Sequence, residues 1–161
     1  MDMDLTGMML GMTLLTRPEE IYRALIEAVG YGTRIIVDNY RENGVAVDVI
    51  YASGGVAYKN ALAMQIFADI VNMPIRLADA AQGPALGSAM FAAVAAGAYP
   101  DTAAATHAMA APCSKVYTPN PEAAQVYEKL YQEYRTLHEY FGHGGNDVMK
   151  RLKEIRSLSL K

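Results

Sequence analysis

Apolar residues between positions 17 and 41 recur with the period of an α-helix. Thr16 and Glu19 have the spacing of a capping box, and Pro18 falls in the first turn, where proline is favoured. Gly44 follows the last apolar position and can take the left-handed conformation that ends many helices. The pattern predicts a long helix from about Arg17 to Arg41. Its apolar positions are Ile21, Ala24, Leu25, Ala28, Ile35 and Ile36.

The next segment, residues 45–52, has the composition of a strand. Its later part is rich in β-branched and aromatic residues without polar alternation, which predicts a strand buried on both faces. The strand ends at Ser53-Gly54-Gly55. Asn60 can then cap a helix that runs to about Val71, and residues 75–77 form a second short strand. The predicted order is therefore strand, glycine loop, helix, strand.

The second half of the chain is predicted to be mainly helical. Residues 84–96 form a helix whose many small side chains indicate close approach to a neighbouring element. Residues 102–109 form a short helix, and residues 121–141 form an amphipathic one. The last stretch, 146–160, is charged and favours either a surface helix or a frayed tail.

Composition adds the class of protein. The 161 residues fit one domain, and 52% apolar with 19% charged residues is a globular mixture. A net charge of −3 without a basic stripe argues against a nucleic-acid partner. The single cysteine, Cys113, cannot close an internal disulfide and is expected to be inert, which fits a reducing cytoplasm.

Neither apolar run in the chain has the features of a membrane or export segment. Residues 8–15 are short and carry neither a basic leader nor a small-residue cleavage site, so they are not a signal peptide. Residues 85–99 contain two glycines and a serine and fall short of the ~20 residues that cross a bilayer. The sequence therefore predicts a protein without a membrane partner.

The glycine loop is the first candidate for chemistry. A strand followed by Gly54-Gly55 and a helix lets the backbone approach a planar or anionic ligand, because glycine has no Cβ. A plain tight turn has the same sequence, and neither a P-loop nor a dinucleotide fingerprint occurs. His107, His138 and His143 lack the spacing of metal ligands, so no metal site is predicted on this chain.

Longer stretches resemble a known family. Residues 52–60, 64–70 and 84–90 resemble the adenosine-binding half of the FGGY carbohydrate kinases. The flanking runs 14–28 and 140–149 look most like the branch of that family that acts on L-ribulose. The resemblance covers nearly the whole chain and implies an α/β fold. That fold would be a partial actin-like ATPase domain, related to ribonuclease H and followed by additional C-terminal helices.

The resemblance also implies a site. Family members transfer the γ-phosphoryl group of ATP, with Mg²⁺, to a sugar hydroxyl, here on L-ribulose or a related ketopentose bound through the N-terminal domain. The loop matching Gly54-Gly55 would lie against adenine, with Asn60 beside it, although Asn60 could instead serve only as a helix cap. Lys59 is either solvated or near a phosphate. Gln65 and Asp69 either serve a domain interface or hydrogen-bond on one helix face.

The family's catalytic Asp, its sugar-binding residues and its phosphate loops have no counterpart here. Asp48 and Asp79 lack the context of the base, so no catalytic residue is assigned and the isolated chain is predicted to be inactive. The resemblance points to L-arabinose catabolism. A xylulokinase-like enzyme and a non-enzymatic nucleotide-binding or oligomerisation module remain the alternatives.

The domain prediction is a single unit over residues 1–161, with an α/β core portion at 1–112 and a helical extension at 113–161. The sequence supplies two of the five strands of a ribonuclease-H-like sheet. An open sheet edge tends to recruit another strand, which makes a homo-oligomer a possible state of the isolated chain.

Overall fold

The structure, a computed structural model, describes residues 4–80, 82–110 and 112–159. Over those residues the chain forms seven helices and three strands. In chain order they are α1 Pro18–Glu42, β1 Ile50–Ala52, α2 Gly55–Lys59, α3 Ala61–Val71, β2 Ile75–Ala78, α4 Gly83–Ala95, α5 Thr102–Met109, β3 Cys113–Tyr117, α6 Pro121–Gly142 and α7 Val148–Ser159. The predicted helices are confirmed to within a few residues, and the final stretch is a surface helix.

The N-cap of α1 is Arg17, one residue after the predicted cap at Thr16. The Arg17 N–H donates to the Glu20 carboxylate over 2.8 Å, so the cap pairs Arg17 with Glu20. The predicted pair of Thr16 and Glu19 is wrong, because the Thr16 hydroxyl accepts the N–H of Thr13 at 2.8 Å in the preceding turn. The long helix itself is confirmed.

The first strand is much shorter than predicted. Only Ile50–Ala52 pairs in the sheet, and residues 45–49 run outside it. Tyr51 is 59% exposed, so the prediction of a strand buried on both faces is wrong. The cause is the sheet itself, since β1 pairs with β2 on one side and with no other strand of the described residues. Without a second neighbour, residues 45–49 have no ladder to join.

The sheet has the order β1-β2-β3. Strands β1 and β2 are parallel, with Ile50 opposite Ile75, whereas β2 and β3 are antiparallel, with Ile75 opposite Tyr117. The sequence predicted two strands and missed β3, whose Ser114 and Lys115 interrupt the apolar pattern. The predicted boundary at residue 112 stays a prediction, and the segment after it starts with this strand.

The core lies on both sides of α3, which packs against α1 and α6. One buried cluster joins α3 to the sheet, and a second joins it to tyrosines of α1 and α6. Ile70 is fully buried between the helices. A Cβ on Gly30 of α1 would lie 2.7 Å from Ile70 Cδ1, so a larger residue at this crossing would displace the end of the Ile70 side chain. The second cluster contains Tyr31, Ile66, Ile70, Tyr127 and Tyr131.

Helix α1 contributes Tyr31 and Val37 to the core and also exposes an apolar row to solvent. Arg34 donates to the Ile70 carbonyl at 3.1 Å and forms an ion pair with Glu128 of α6. On another side of the helix an uncharged row, called here the outer stripe, is between 53% and 63% exposed. The outer stripe consists of Tyr22, Leu25, Val29, Ile36 and Tyr40. Helix α1 therefore has an apolar face in addition to the one that packs against the core.

Helix α4 is apolar throughout and yet contributes no buried residue among those described. It packs against α5, and Phe91 is 68% exposed. The small side chains predicted close approach to a neighbour, and the only extensive contact of α4 within the described residues is with α5. Its remaining surface is open in this chain.

Candidate nucleotide-binding site

Two loops meet at the edge of the sheet where the parallel strands β1 and β2 end. The first loop is residues 53–55, and the second loop comprises residues 79, 80, 82 and 83. In open α/β sheets, ligands bind at the carboxyl ends of parallel strands, because the loops there are free to vary around a fixed scaffold. The glycine pair singled out from the sequence therefore lies at the expected edge.

The backbone of the first loop requires glycine at one position. Gly54 has a φ of +95°, a conformation that residues with a Cβ rarely adopt. A Cβ built on Gly54 or on Gly55 would meet no described atom within 4 Å. Gly54 thus fixes the shape of the turn, and Gly55 leaves open space beside it.

The two loops approach each other closely. A Cβ on Gly83 would lie 3.1 Å from the Ser53 hydroxyl oxygen, so the start of α4 touches the first loop. Tyr58, on the short helix α2, reaches the second loop through its hydroxyl. Residues 53–55 of the first loop are exposed, and the exposed Val56 stands at the start of α2.

Asn60 is the N-cap of α3. Its side-chain oxygen accepts the Ala63 N–H over 3.0 Å, and the residue is half-buried. The cap is therefore present, and a contact of Asn60 with a nucleotide stays a prediction. Lys59, one residue earlier, is exposed.

Gln65 and Asp69 do not face the loops. The Gln65 amide donates to Asp69 Oδ1 and to the Thr118 carbonyl, each at 2.8 Å. The same Asp69 oxygen accepts the Asn120 N–H over 2.7 Å while the residue is 6% exposed. These two side chains hold the start of α6 against α3. Of the two alternatives predicted for them, the structure shows the hydrogen bond on one helix face.

Catalytic and metal-binding groups were not predicted for this chain. Asp48 and Asp79 are both exposed on separate segments. Residues 4–80, 82–110 and 112–159 contain no group of three or more His, Cys, Asp or Glu side chains that could hold a metal ion. His138 and His143 lie on either side of Glu139, and the hydrogen bond from His143 holds the pKa of that carboxyl below its usual value.

Sequence reasoning missed Tyr58. Its hydrogen bonds reach backbone groups that lie 20 and 22 residues further along the chain. Its own helix, α2, has only five residues, too few to show a helical period in the sequence. The chain contains 11 tyrosines, so tyrosine content does not single this residue out. Its role depends on tertiary structure.

Comparison with known families gives the class of protein. The model of the C-terminal domain of the FGGY family of carbohydrate kinases matches residues 1–96. The chain belongs to the FGGY family of carbohydrate kinases, as its resemblance implied.

Among the relatives similar in sequence to this chain are ribulokinases. A ribulokinase of Halalkalibacterium halodurans is 54% identical over 161 residues, which is 98% of this chain and 29% of that protein. A ribulokinase of Mycolicibacterium smegmatis is 42% identical over 156 residues, covering 97% of this chain and 27% of that one.

Solved structures agree on the fold. A ligand-bound xylulose kinase from Lactobacillus acidophilus is 28% identical with a TM-score of 0.77 over 89% of this chain and 29% of its own. A gluconate kinase from the same organism is 29% identical, with a TM-score of 0.75 over 86% and 27%. The α/β, actin-like fold is confirmed. The chain spans under a third of the length of each of these proteins.

In the described part of the chain, none of the helices combines the length and the apolar character that a membrane span needs.

Proposed function

We propose that this chain is the nucleotide-binding C-terminal portion of a kinase that transfers the γ-phosphoryl group of ATP to a hydroxyl of L-ribulose. The observation that carries the proposal is the first loop. It lies at the carboxyl edge of the sheet, with Gly54 at positive φ and open space at Gly54 and Gly55. The ribulokinases that are 54% identical to this chain support the sugar.

The loop suits an adenosine. A flat base can lie against the backbone of Gly54 and Gly55, because neither glycine presents a Cβ. Asn60, at the start of α3, has a side-chain amide that offers a donor and an acceptor to a base edge. In this proposal the chain binds and orients ATP, and the general base and sugar contacts come from the remaining length of the kinase.

Mg²⁺ enters the proposal only as a partner of the ATP phosphates. The described residues hold no carboxylate cluster for it, so no step of the reaction is assigned to a metal on this chain. We place the kinase in the cytoplasm, in agreement with its single cysteine, and its reaction in L-arabinose catabolism.

Two other functions have some support. A xylulokinase-like activity is favoured by the solved xylulose kinases, but these are 28–30% identical, compared with 54% for the nearer ribulokinases reported above. A non-enzymatic nucleotide-binding module is favoured by the absence of an assigned base. A kinase assay of a complete enzyme separates these functions.

The test is a chimera in which residues 1–161 replace the matching part of the Halalkalibacterium halodurans ribulokinase. We expect it to bind ATP and to phosphorylate L-ribulose, with the sugar contacts supplied by the recipient enzyme. Gly55→Val in the chimera should raise the Kd for ATP about tenfold or more, because the branched side chain fills the space for the base, while the Kd for L-ribulose changes less than about twofold.

The control is Gln125→Val, which places the same side chain on an exposed position of α6. It should leave both dissociation constants unchanged. An unaltered ATP Kd in Gly55→Val would return the loop to an ordinary turn. A chimera that binds ATP but phosphorylates no sugar would contradict the kinase assignment and favour the non-enzymatic nucleotide-binding module.

A further inference from the structure

The hydroxyl of Tyr58 joins α2 to the second loop. It lies within hydrogen-bond distance of the Ala78 carbonyl and 2.8 Å from the Ala80 carbonyl, and it accepts the Ala80 N–H at 3.0 Å. One phenol thereby serves three backbone groups of a single turn. Its own helix starts at Gly55, the second glycine of the first loop.

A hydroxyl can donate one proton and accept others, so the contacts are chemically compatible. Donation to a carbonyl at position 78 or 80 and acceptance from the Ala80 N–H fix the turn at the end of β2. The Ala80 N–H also lies 2.9 Å from the Ala78 carbonyl, so its one proton is shared between that oxygen and the Tyr58 hydroxyl. Tyr58 therefore sets where this turn lies relative to α2.

The only other close approach described above between the two loops is between Ser53 and Gly83. That approach lies where the first loop leaves β1, whereas Tyr58 acts from the other end of α2. Two separated points of attachment fix the distance between the two loops, and a single point would leave them free to pivot. The space beside Gly55 lies between these two points along the chain.

We propose that Tyr58 is a positioning residue for nucleotide binding, whose hydroxyl holds the second loop at the distance from the first loop that ATP requires. The inference rests on the proposed function and extends it to a residue that does not itself contact the phosphates. Loss of the hydroxyl leaves the ring and the helix in place. The loss removes the link between α2 and the turn, so the two loops bind ATP less well.

The experiment compares Tyr58→Phe with Tyr51→Phe in the chimera. Tyr51 is an exposed tyrosine on the neighbouring strand, and its hydroxyl accepts one bond from Arg76 at 3.3 Å. For Tyr58→Phe we expect the KM for ATP to rise about three- to tenfold, as for the loss of one or two hydrogen bonds. We expect kcat and the KM for L-ribulose to stay near those of the parent. Tyr51→Phe should change none of them.

Hydrogen exchange of the Ala80 amide provides a readout that does not depend on ATP. It should be slow in the parent and in Tyr51→Phe and clearly faster in Tyr58→Phe. An unchanged KM for ATP, or a loss of kcat and Tm at constant KM, would overturn the positioning role. A parent chimera that fails to bind ATP would overturn the proposed function, and unchanged Ala80 exchange would overturn the link itself.

Discussion

The helical body and the loop edge of this chain differ in how their side chains are covered. In the body, α1, α3 and α6 bury Ile70 completely, and Tyr131 donates to Asp38 at 2.6 Å. At the edge, α4 buries none of its described residues, and the first loop borders open space. Burial also raises the pKa of Tyr131 above its usual range, which keeps this phenol protonated as a donor. The chain thus contains a helical body with a buried core and an edge that the described residues leave uncovered.

The largest effect expected from this difference concerns catalysis. The purified 161-residue chain should show no ATP-dependent phosphorylation of L-ribulose, because the phosphate loops and the base are not on it. The chimera described above should be active under the same conditions. A coupled assay against a no-protein blank measures both. Steady turnover by the chain alone would place the active site within these residues.

The second-largest expected difference between the two regions is the unfolding free energy that is lost when one apolar side chain is truncated. Ile70→Ala should lower the free energy of unfolding by about 2–5 kcal/mol, because it leaves a cavity between α1 and α3. Phe91→Ala, on exposed α4, should lower it by less than about 1 kcal/mol. Urea unfolding followed by circular dichroism measures both values. Equal losses would mean that α4 is buried in the protein in solution.

The outer stripe should make the isolated chain self-associate. Val29→Glu puts a charge in the middle of this uncharged row and should weaken association about tenfold, as judged by light scattering at tens of micromolar. Gln125→Glu adds the same charge to exposed α6 and is the control. A monomeric parent with a sharp thermal transition would show that the outer stripe does not cause self-association in solution.

Two tyrosines of the body should respond in opposite directions. Tyr131→Phe removes the bond to Asp38 and should cost about 1 kcal/mol of unfolding free energy. The buried Tyr31 hydroxyl has no hydrogen-bond partner among the described residues, so Tyr31→Phe should gain about 0.5–1 kcal/mol. Thermal unfolding of both variants beside the parent is the measurement. A loss in Tyr31→Phe would reveal a partner for that hydroxyl.

Helices were predictable from the sequence because their signals are local. Asn60 caps α3 and Asn120 caps α6 through side-chain bonds to residues two or three positions on, distances that the sequence displays directly. Strand β1 was predicted too long and β3 was missed, because strand length depends on neighbours that lie far away in the chain. Tyr51 is exposed for the same reason.

The candidate site was predictable in part. Gly54 could be identified because a positive φ leaves a signature in residue type, whereas Tyr58 could not, since its partners are three backbone groups of a distant turn. Backbone donors and acceptors are nearly the same in every residue type, so the sequence does not show which of them a side chain will bind. Asp69 shows the same limit in part, because its bond with Gln65 on the same helix could be predicted but its bond with the main-chain N–H of Asn120 could not.

Gly30 restricts how this sequence can change during evolution. A Cβ at this position would lie 2.7 Å from Ile70 Cδ1 and 3.1 Å from Phe67 Cδ1, so alanine fits only if these side-chain atoms shift or are removed. Glycine within a helix costs about 1 kcal/mol, which gives selection a reason to replace it. The two positions are therefore coupled: Gly30→Ala should be better tolerated in the Ile70→Val background, which lacks Cδ1, than in the parent. The order in which the two substitutions arise then sets the stability of the intermediate, a dependence that neither residue has alone.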